Sequence, residues 1–200
     1  MTRRDFYALV VPRFLENDLP DYWSLYATGK ITHFEAMRSI FSHIRTTEEN
    51  LRETVREMET DPRMKESVER LRLAGWEIEV VSAGCRWYID QVLEEAGVEL
   101  TVHASEARFV PGKGLLMELS AGSPYASQET GVDKESAVRD ALARYSRVAF
   151  AGNGPPDLGA ALLVDADLRF ARGWLAKELK HRDLGFRRFE WWGEIAAALI

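Results

Sequence analysis

Three short stretches of this chain hold residue types that could do chemistry. The first, residues 147–157, reads Arg-Val-Ala-Phe-Ala-Gly-Asn-Gly-Pro-Pro-Asp. Val148, Ala149, Phe150 and Ala151 form an apolar run that fits a short strand buried on both faces. Gly152-Asn153-Gly154 breaks the run with turn chemistry, and Pro155-Pro156-Asp157 leads into an apolar, helix-like Leu158–Leu163. Ligands of open α/β sheets sit outside the carboxyl ends of the strands. Asn153 and Asp157 at such an edge supply oxygen ligands suited to Mg2+. The second stretch is Val80-Val81-Ser82-Ala83-Gly84, where a hydroxyl and backbone N–H groups precede a helix, an arrangement that binds anions. The third is Lys134, on the first turn of a helix, where the macrodipole disfavours a cation unless something else holds it. Each has a plainer alternative: an ordinary strand–turn–helix link, a Ser82 helix cap, and a solvated lysine.

The elements that must position these residues follow from periodicity. Asp5 to Leu15 has helical spacing at Phe6, Leu9, Val10 and Phe14. From Asp18 to about Glu59 the text is amphipathic and helical, with almost no β character, and reads as a small bundle of its own. Thr32 with Glu35 has the spacing of a capping box, and Thr46 or Thr47 caps the next helix. After Asp61-Pro62 the pattern changes. A helix through Met64, Val68 and Leu71 gives way to a strand from Trp76 to Val81, a helix from Trp87 to Glu95, and a second strand from Leu100 to His103. Phe109–Leu119 reads as a β-hairpin and Ser120–Gly131 as a loop. A helix over 134–145 precedes the Val148 strand, and Ala161–Asp165 suggests one more. Helices alternating with short apolar strands predict a parallel sheet covered on both faces.

Composition narrows the classes. Two hundred residues suffice for a real core, and 46% hydrophobic with 29% charged is globular. A net charge of −6 argues against a large nucleic-acid footprint. The single Cys85 excludes an intrachain disulfide and fits a reducing, cytoplasmic setting. No apolar run approaches the ~18 residues of a membrane span, and no apolar signal core follows Met1-Thr2-Arg3-Arg4.

Ser82, then Lys134, then Asn153 with Asp157 resemble, in type and order, the motifs of the haloacid dehalogenase superfamily of phosphotransferases. In that family a Ser or Thr ends the second strand, a Lys follows, and a Gly-Asp-x-x-x-Asp stretch comes last. The resemblance implies a Rossmann-like fold, with helices on both faces of a parallel sheet and a helical cap insertion. The core then comprises residues 1–14 and 62–200, and the cap 15–61. The cap's place before Ser82 is similar to the phosphoserine-phosphatase-like branch. Ala74–Glu77, Val81–Cys85 and Phe170–Leu175 look like phosphatases of methionine salvage, which act on 2-hydroxy-3-keto-5-methylthiopentenyl-1-phosphate.

The same resemblance implies Mg2+-dependent hydrolysis of a small phosphorylated metabolite through an aspartyl-phosphate. Ser82 and the N–H groups of Ala83 and Gly84 would hold the phosphate, Lys134 would offset its charge, and Asn153 and Asp157 would hold the metal. No nucleic acid or membrane is an expected partner; a homodimer is the assembly allowed for. Two departures stand out. The family's nucleophile lies in an Asp-x-Asp motif ending a first strand, and neither precedes the helix that begins near Asp5. The expectation is therefore that the true start lies upstream of Met1, with a valine codon of the motif read as the initiator. Asn153 replaces a family Asp, keeping a carbonyl oxygen but losing a charge. The alternative from another class is a catalytically inactive phosphate- or metabolite-binding protein. Asp5 itself reads as a helix cap, Cys85 as an inert thiol, and His33, His43, His103 and His181 show no ligand spacing. Arg169 and Arg172 have a better claim on a substrate anion than Arg45, Arg52 and Arg56, which read as a solvated face.

Overall fold

A computed structural model describes all 200 residues. Four helices come first: α1 (Phe6–Phe14), α2 (Tyr22–Ala27), α3 (His33–Ser42) and α4 (Glu48–Arg56). Their starts are fixed by side chains that accept otherwise unpaired N–H groups. Asp5 accepts from Ala8 N at 3.2 Å, Thr32 from Glu35 N at 3.1 Å, and Thr47 from Asn50 N at 3.2 Å. Glu35 answers by accepting from Thr32 N at 2.8 Å, which completes the capping box. The apolar faces of α1, α3 and α4 meet in one core containing Phe6, Val10, Phe34, Phe41, Ile44, Leu51 and Val55. That core also takes in Cys85, Val92, Leu115 and Met117 from the following segment.

Beyond it run α5 (Met64–Leu73), β1 (Glu79–Cys85), α6 (Arg86–Ala96), β2 (Thr101–Val110) and β3 (Gly114–Glu118). β1 and β2 are parallel, whereas β2 and β3 form an antiparallel hairpin. The strand expected at Leu100–His103 and the first arm of the expected hairpin are thus a single long strand. Gly112 and Gly114 have positive φ at its turn, and a side chain on Gly114 would collide with the Phe41 carbonyl. β3 is thereby pressed onto α3.

The Ser120–Gly131 segment, expected as loop, holds a two-residue β4 (Ala126–Ser127), which pairs with β5 (Gly131–Val132). Then follow α7 (Lys134–Arg144), β6 (Phe150–Gly152), α8 (Leu158–Leu162), β7 (Arg169–Ala171), α9 (Gly173–His181), β8 (Arg187–Arg188) and α10 (Trp192–Leu199). β6, β7 and β8 form a second parallel sheet. The strand expected at Ala161–Asp165 is a correction: the 3₁₀ turn at Pro155–Asp157 runs directly into α8, and the strand comes later, at β7. A proline-initiated turn leaves the chain helical, so the small residues Ala160 and Ala161 are buried as helix.

The architecture is α/β with parallel pairing and helices on both faces, but the parallel strands fall into two sheets that share no ladder. β1 and β6 are the facing edges. Parallel strands covered by helices are normally buried throughout. Here Val80, Val81, Val148, Ala149 and Phe150 are only half-buried, and Ala151 is exposed. The expectation that the Val148–Ala151 run is buried on both faces is therefore not met. Its edge opens on a cleft of about 430 Å³ shared with β1.

Candidate active site

Ser82, Lys134, Asn153 and Asp157 all line that cleft, at the carboxyl ends of β1 and β6. Lys134 is the first residue of α7, a helix capped by Asp133, whose carboxylate accepts from Ser136 N at 3.0 Å and from the Ser136 hydroxyl at 2.7 Å. What holds a lysine against the helix dipole is Asp157: Nζ donates to Oδ1 at 2.5 Å. Asp157, 3% exposed, turns its other oxygen to Asn153 N at 2.7 Å and Gly154 N at 2.8 Å. One carboxylate thus closes the Gly152–Gly154 turn and anchors the ammonium. Burial by itself would raise the pKa of Asp157, but the charge and hydrogen bond of Lys134, with the two N–H donors, outweigh it and hold the carboxyl below its ordinary value.

Ser82 does not cap the helix that follows. α6 starts after Cys85 without a side-chain cap, and Ser82 Oγ instead accepts from Gly84 N at 3.1 Å. Gly84 is needed because the Tyr88 hydroxyl lies against it, where any side chain would collide. Tyr88 lines the cleft and stacks on Phe6 at 4.5 Å. Burial raises its phenol pKa, so it is a neutral donor. Cys85 is fully buried, which pushes its thiol up to about 12 and leaves it unreactive.

One residue lining the cleft, Tyr88, carries no signal in the sequence alone. His33 lies outside the lining, within reach of the Lys134 charge. His33 opens α3, is 9% exposed, and sits between the rings of Trp23 and Tyr26 with no partner for Nδ1. Burial, then the nearby charge of Lys134, lower its pKa and keep it neutral. The helix start is docked on the segment before Lys134, since Phe34 N donates to Glu129 O at 3.0 Å. No local spacing pairs His33 with a residue so far along the chain.

The arginines singled out earlier are committed elsewhere. Arg169 is a buried brace donating to the carbonyls of Ala161, Val164 and Gly185 at 2.6, 2.8 and 2.9 Å. Arg172 lines the cleft, but donates to Thr2 O at 2.6 Å and Glu190 O at 3.0 Å. Farther off, Arg45 pairs with Glu16 and Arg52 with Glu48 on exposed surface. A second cleft of about 610 Å³ lies beside Trp76–Ile78 and Glu99–Thr101, at the amino ends of β1 and β2. It contains none of these groups and opens at the end of the sheet where ligands do not sit.

A caged lysine, a hydroxyl and an Asn–Asp turn thus sit together at the carboxyl edge of parallel strands. Residues 3–162 match the haloacid dehalogenase-like hydrolases. The chain belongs to that family. No curated protein matches it. Among solved structures, its fold is similar to a probable phosphoserine phosphatase from Vibrio cholerae in unliganded form, with a TM-score of 0.60 at 17% identity. The match covers 89% of this chain and 55% of the other, so this chain spans about half the length of its structural relative.

A divalent cation is common to such hydrolases, and the fit of these residues to one is partial. The Asn153 side chain is exposed and makes no hydrogen bond, so its oxygen is free to ligate. Both oxygens of Asp157 already accept hydrogen bonds, although each has a further lone pair. No group of three His, Cys, Asp or Glu side chains is gathered anywhere in the chain. Mg2+ takes about six oxygens, so these two residues make up a minority of a site.

Proposed function

We propose that this hydrolase cleaves a small phosphomonoester, with the phosphate bound at Ser82 and Lys134. The observation that supports this most is the buried Lys134–Asp157 pair opening on the cleft. An ammonium has three N–H donors; one is spent on Asp157, leaving two for phosphoryl oxygens. The Ser82 hydroxyl and the Ala83 N–H offer the second side of the cradle, the Gly84 N–H being given to Ser82 Oγ, and Tyr88 a neutral hydroxyl beside it. Charge-assisted donors fixed in advance act most strongly on the charge that develops in phosphoryl transfer.

Asn153 and Asp157 would hold Mg2+, with substrate, water and further carboxylates completing its shell; when bound, the ion neutralises phosphoryl charge. The expected family mechanism uses an aspartate nucleophile ending a first strand, and no Asp-x-Asp lies ahead of α1 in these residues. Helices of residues 15–61 would shape the substrate pocket and exclude water, with His33 at its wall. The stretches resembling methionine-salvage phosphatases support 2-hydroxy-3-keto-5-methylthiopentenyl-1-phosphate as the substrate. The single, buried Cys85 is consistent with a cytoplasmic setting. A second reading, a binding protein without turnover, is favoured by the neutral Asn153.

The test is phosphate release from an aryl phosphate with Mg2+, for the 200-residue chain and for a form extended to the next upstream in-frame start. Activity in the extended form, lost in Lys134→Ala, supports hydrolysis. Phosphate-induced stabilisation with no turnover in either form supports the binding reading. Turnover by the 200 residues would mean that a residue within them acts as the nucleophile.

A further inference from the structure

We infer that His103 is a positioning residue that ties the strand carrying Ser82 to the helix carrying Lys134, and that its protonation tightens this tie. That the two residues are positioned for a phosphate rests on the proposed function; the tie itself does not.

His103 stands on β2 directly opposite Val81, the residue before Ser82. Its side chain is 14% exposed and has a partner at each ring nitrogen. Nε2 lies 3.6 Å from Glu79 Oε2 on β1, and Nδ1 lies 3.1 Å from the Ser123 hydroxyl, in the turn that precedes β4. Ser123 Oγ also accepts from Tyr125 N at 3.2 Å, and the Tyr125 ring meets the imidazole edge to face with centroids 4.8 Å apart. His103 therefore holds this turn twice, through Ser123 and through the ring of Tyr125.

Tyr125 passes that hold on to α7 at two points. Its carbonyl accepts from Asp133 N at 2.7 Å, and Asp133 is the cap that opens the helix at Lys134. Its hydroxyl donates to Asp140 Oδ2 at 3.1 Å, about two turns further along the same face. Burial first, then the Asp140 carboxylate, raise the Tyr125 pKa, so the phenol keeps its proton and stays a donor. The ring itself packs on Val132 and Ala137, with Val81 and Ala83 of β1 against the same cluster. A shift of Tyr125 would move the start of α7 relative to β1, and with it the spacing of Lys134 from Ser82.

The groups around the imidazole give its charge a direction. Glu79 of β1 faces Nε2, Arg144 of α7 shares that carboxylate at 3.5 Å, and Asp140 of α7 stands behind the Tyr125 hydroxyl. α6 lies on the opposite face of β2, where Val102 packs and Arg86 holds the Val102 carbonyl. A neutral imidazole has one N–H. With Glu79 as its acceptor at Nε2, Nδ1 is left to accept from the Ser123 hydroxyl. Protonation makes both nitrogens donors. Nε2–H then meets Glu79 as a charge pair, and Ser123 Oγ accepts from Nδ1 and from Tyr125 N, which fills both its lone pairs. The same contacts serve both states, and the second adds charge to each of them.

Amide hydrogen exchange on the wild type and two variants tests this. His103→Phe keeps a ring against Tyr125 but removes both nitrogens, whereas His103→Gln keeps a donor and an acceptor. Exchange at Asp133, Ser136 and Ala137 should quicken about tenfold in His103→Phe, recover in part in His103→Gln, and stay unchanged in α3. The ratio of His103→Phe to wild-type exchange at these amides should be larger at about pH 5 than at about pH 8, the interval over which histidine changes charge. Unchanged exchange at the start of α7 in a folded His103→Phe overturns the inference. So does a His103→Gln no better than His103→Phe, which would leave only packing, or a ratio that does not vary with pH. Titration with inorganic phosphate reads the use of the site separately. Looser α7 amides in His103→Phe, with no phosphate bound by the wild type, keep the tie and remove the phosphate; phosphate bound by both, with α7 unchanged, does the reverse.

Discussion

The N-terminal helices and the centre of the sheet are built to different standards. Around α1, α3 and α4 the large side chains Phe6, Phe41, Ile44 and Leu51 are all at or below 1% exposure. At the facing edges of β1 and β6, side chains just as apolar are half-buried or open. Composition does not explain the contrast, since Val80, Val81, Val148 and Ala149 belong to good strand sequences. What differs is how far away the partners lie. A helix pairs its backbone within itself and needs only one neighbour for its stripe. A strand in the middle of a sheet needs a neighbour on each side.

Mutation separates the two regions. Phe41→Ala in the packed core should cost about 3–5 kcal/mol, whereas Val81→Ala should cost less than ~1 kcal/mol while its edge is open. Chemical denaturation checks both, and equal costs would erase the contrast. Next in size is Lys134→Met. Lys134 and Asp157 form the one tightly made contact at the sheet's centre, with side chains 12% and 5% exposed. Losing one partner of such a pair costs about 3 kcal/mol, because the other charge is left buried. A midpoint equal to wild type would mean that the pair adds nothing. The smallest expected effect is on pH dependence. The Met1 amino group titrates near 8.0 ordinarily and near about 5 when folded, with Arg172 and Asp61 beside it. Between these values the unfolded chain binds more protons, so stability should rise from pH 5 to 8 and then level off. Nα-acetylation should flatten that slope in urea melts, and an unchanged slope would place the amine in water. At lower pH, Asp157, whose carboxyl is held down, loses its contribution as it protonates.

The same contrast governs what could be read from the sequence. Thr32 with Glu35, Thr47, and the spacing of Phe34, Met37, Ile40 and Phe41 are local signals, and each is realised. Ser82, Lys134, Asn153 and Asp157 were legible as a set because strand-end turns and a helix start are also local, and the cleft gathers them. The role of Ser82 was not, because whether its hydroxyl caps a helix or bonds Gly84 depends on where β1 ends. His33 and Tyr88 were missed because both act across tertiary contacts. Arg169 looked available for substrate because no sequence pattern shows three carbonyls converging on it. The Ala161–Asp165 strand failed at a turn whose helical continuation begins with Pro155.

β2 has a mechanical consequence. Its first half pairs with β1, its second half with β3, and β3 is pressed onto α3 through Gly114. The helices before α5 are therefore tied to the sheet by a strut besides their chain connections. A displacement of α3 would carry β3 and the outer half of β2 with it, so strain entering at that helix is borne inside the sheet.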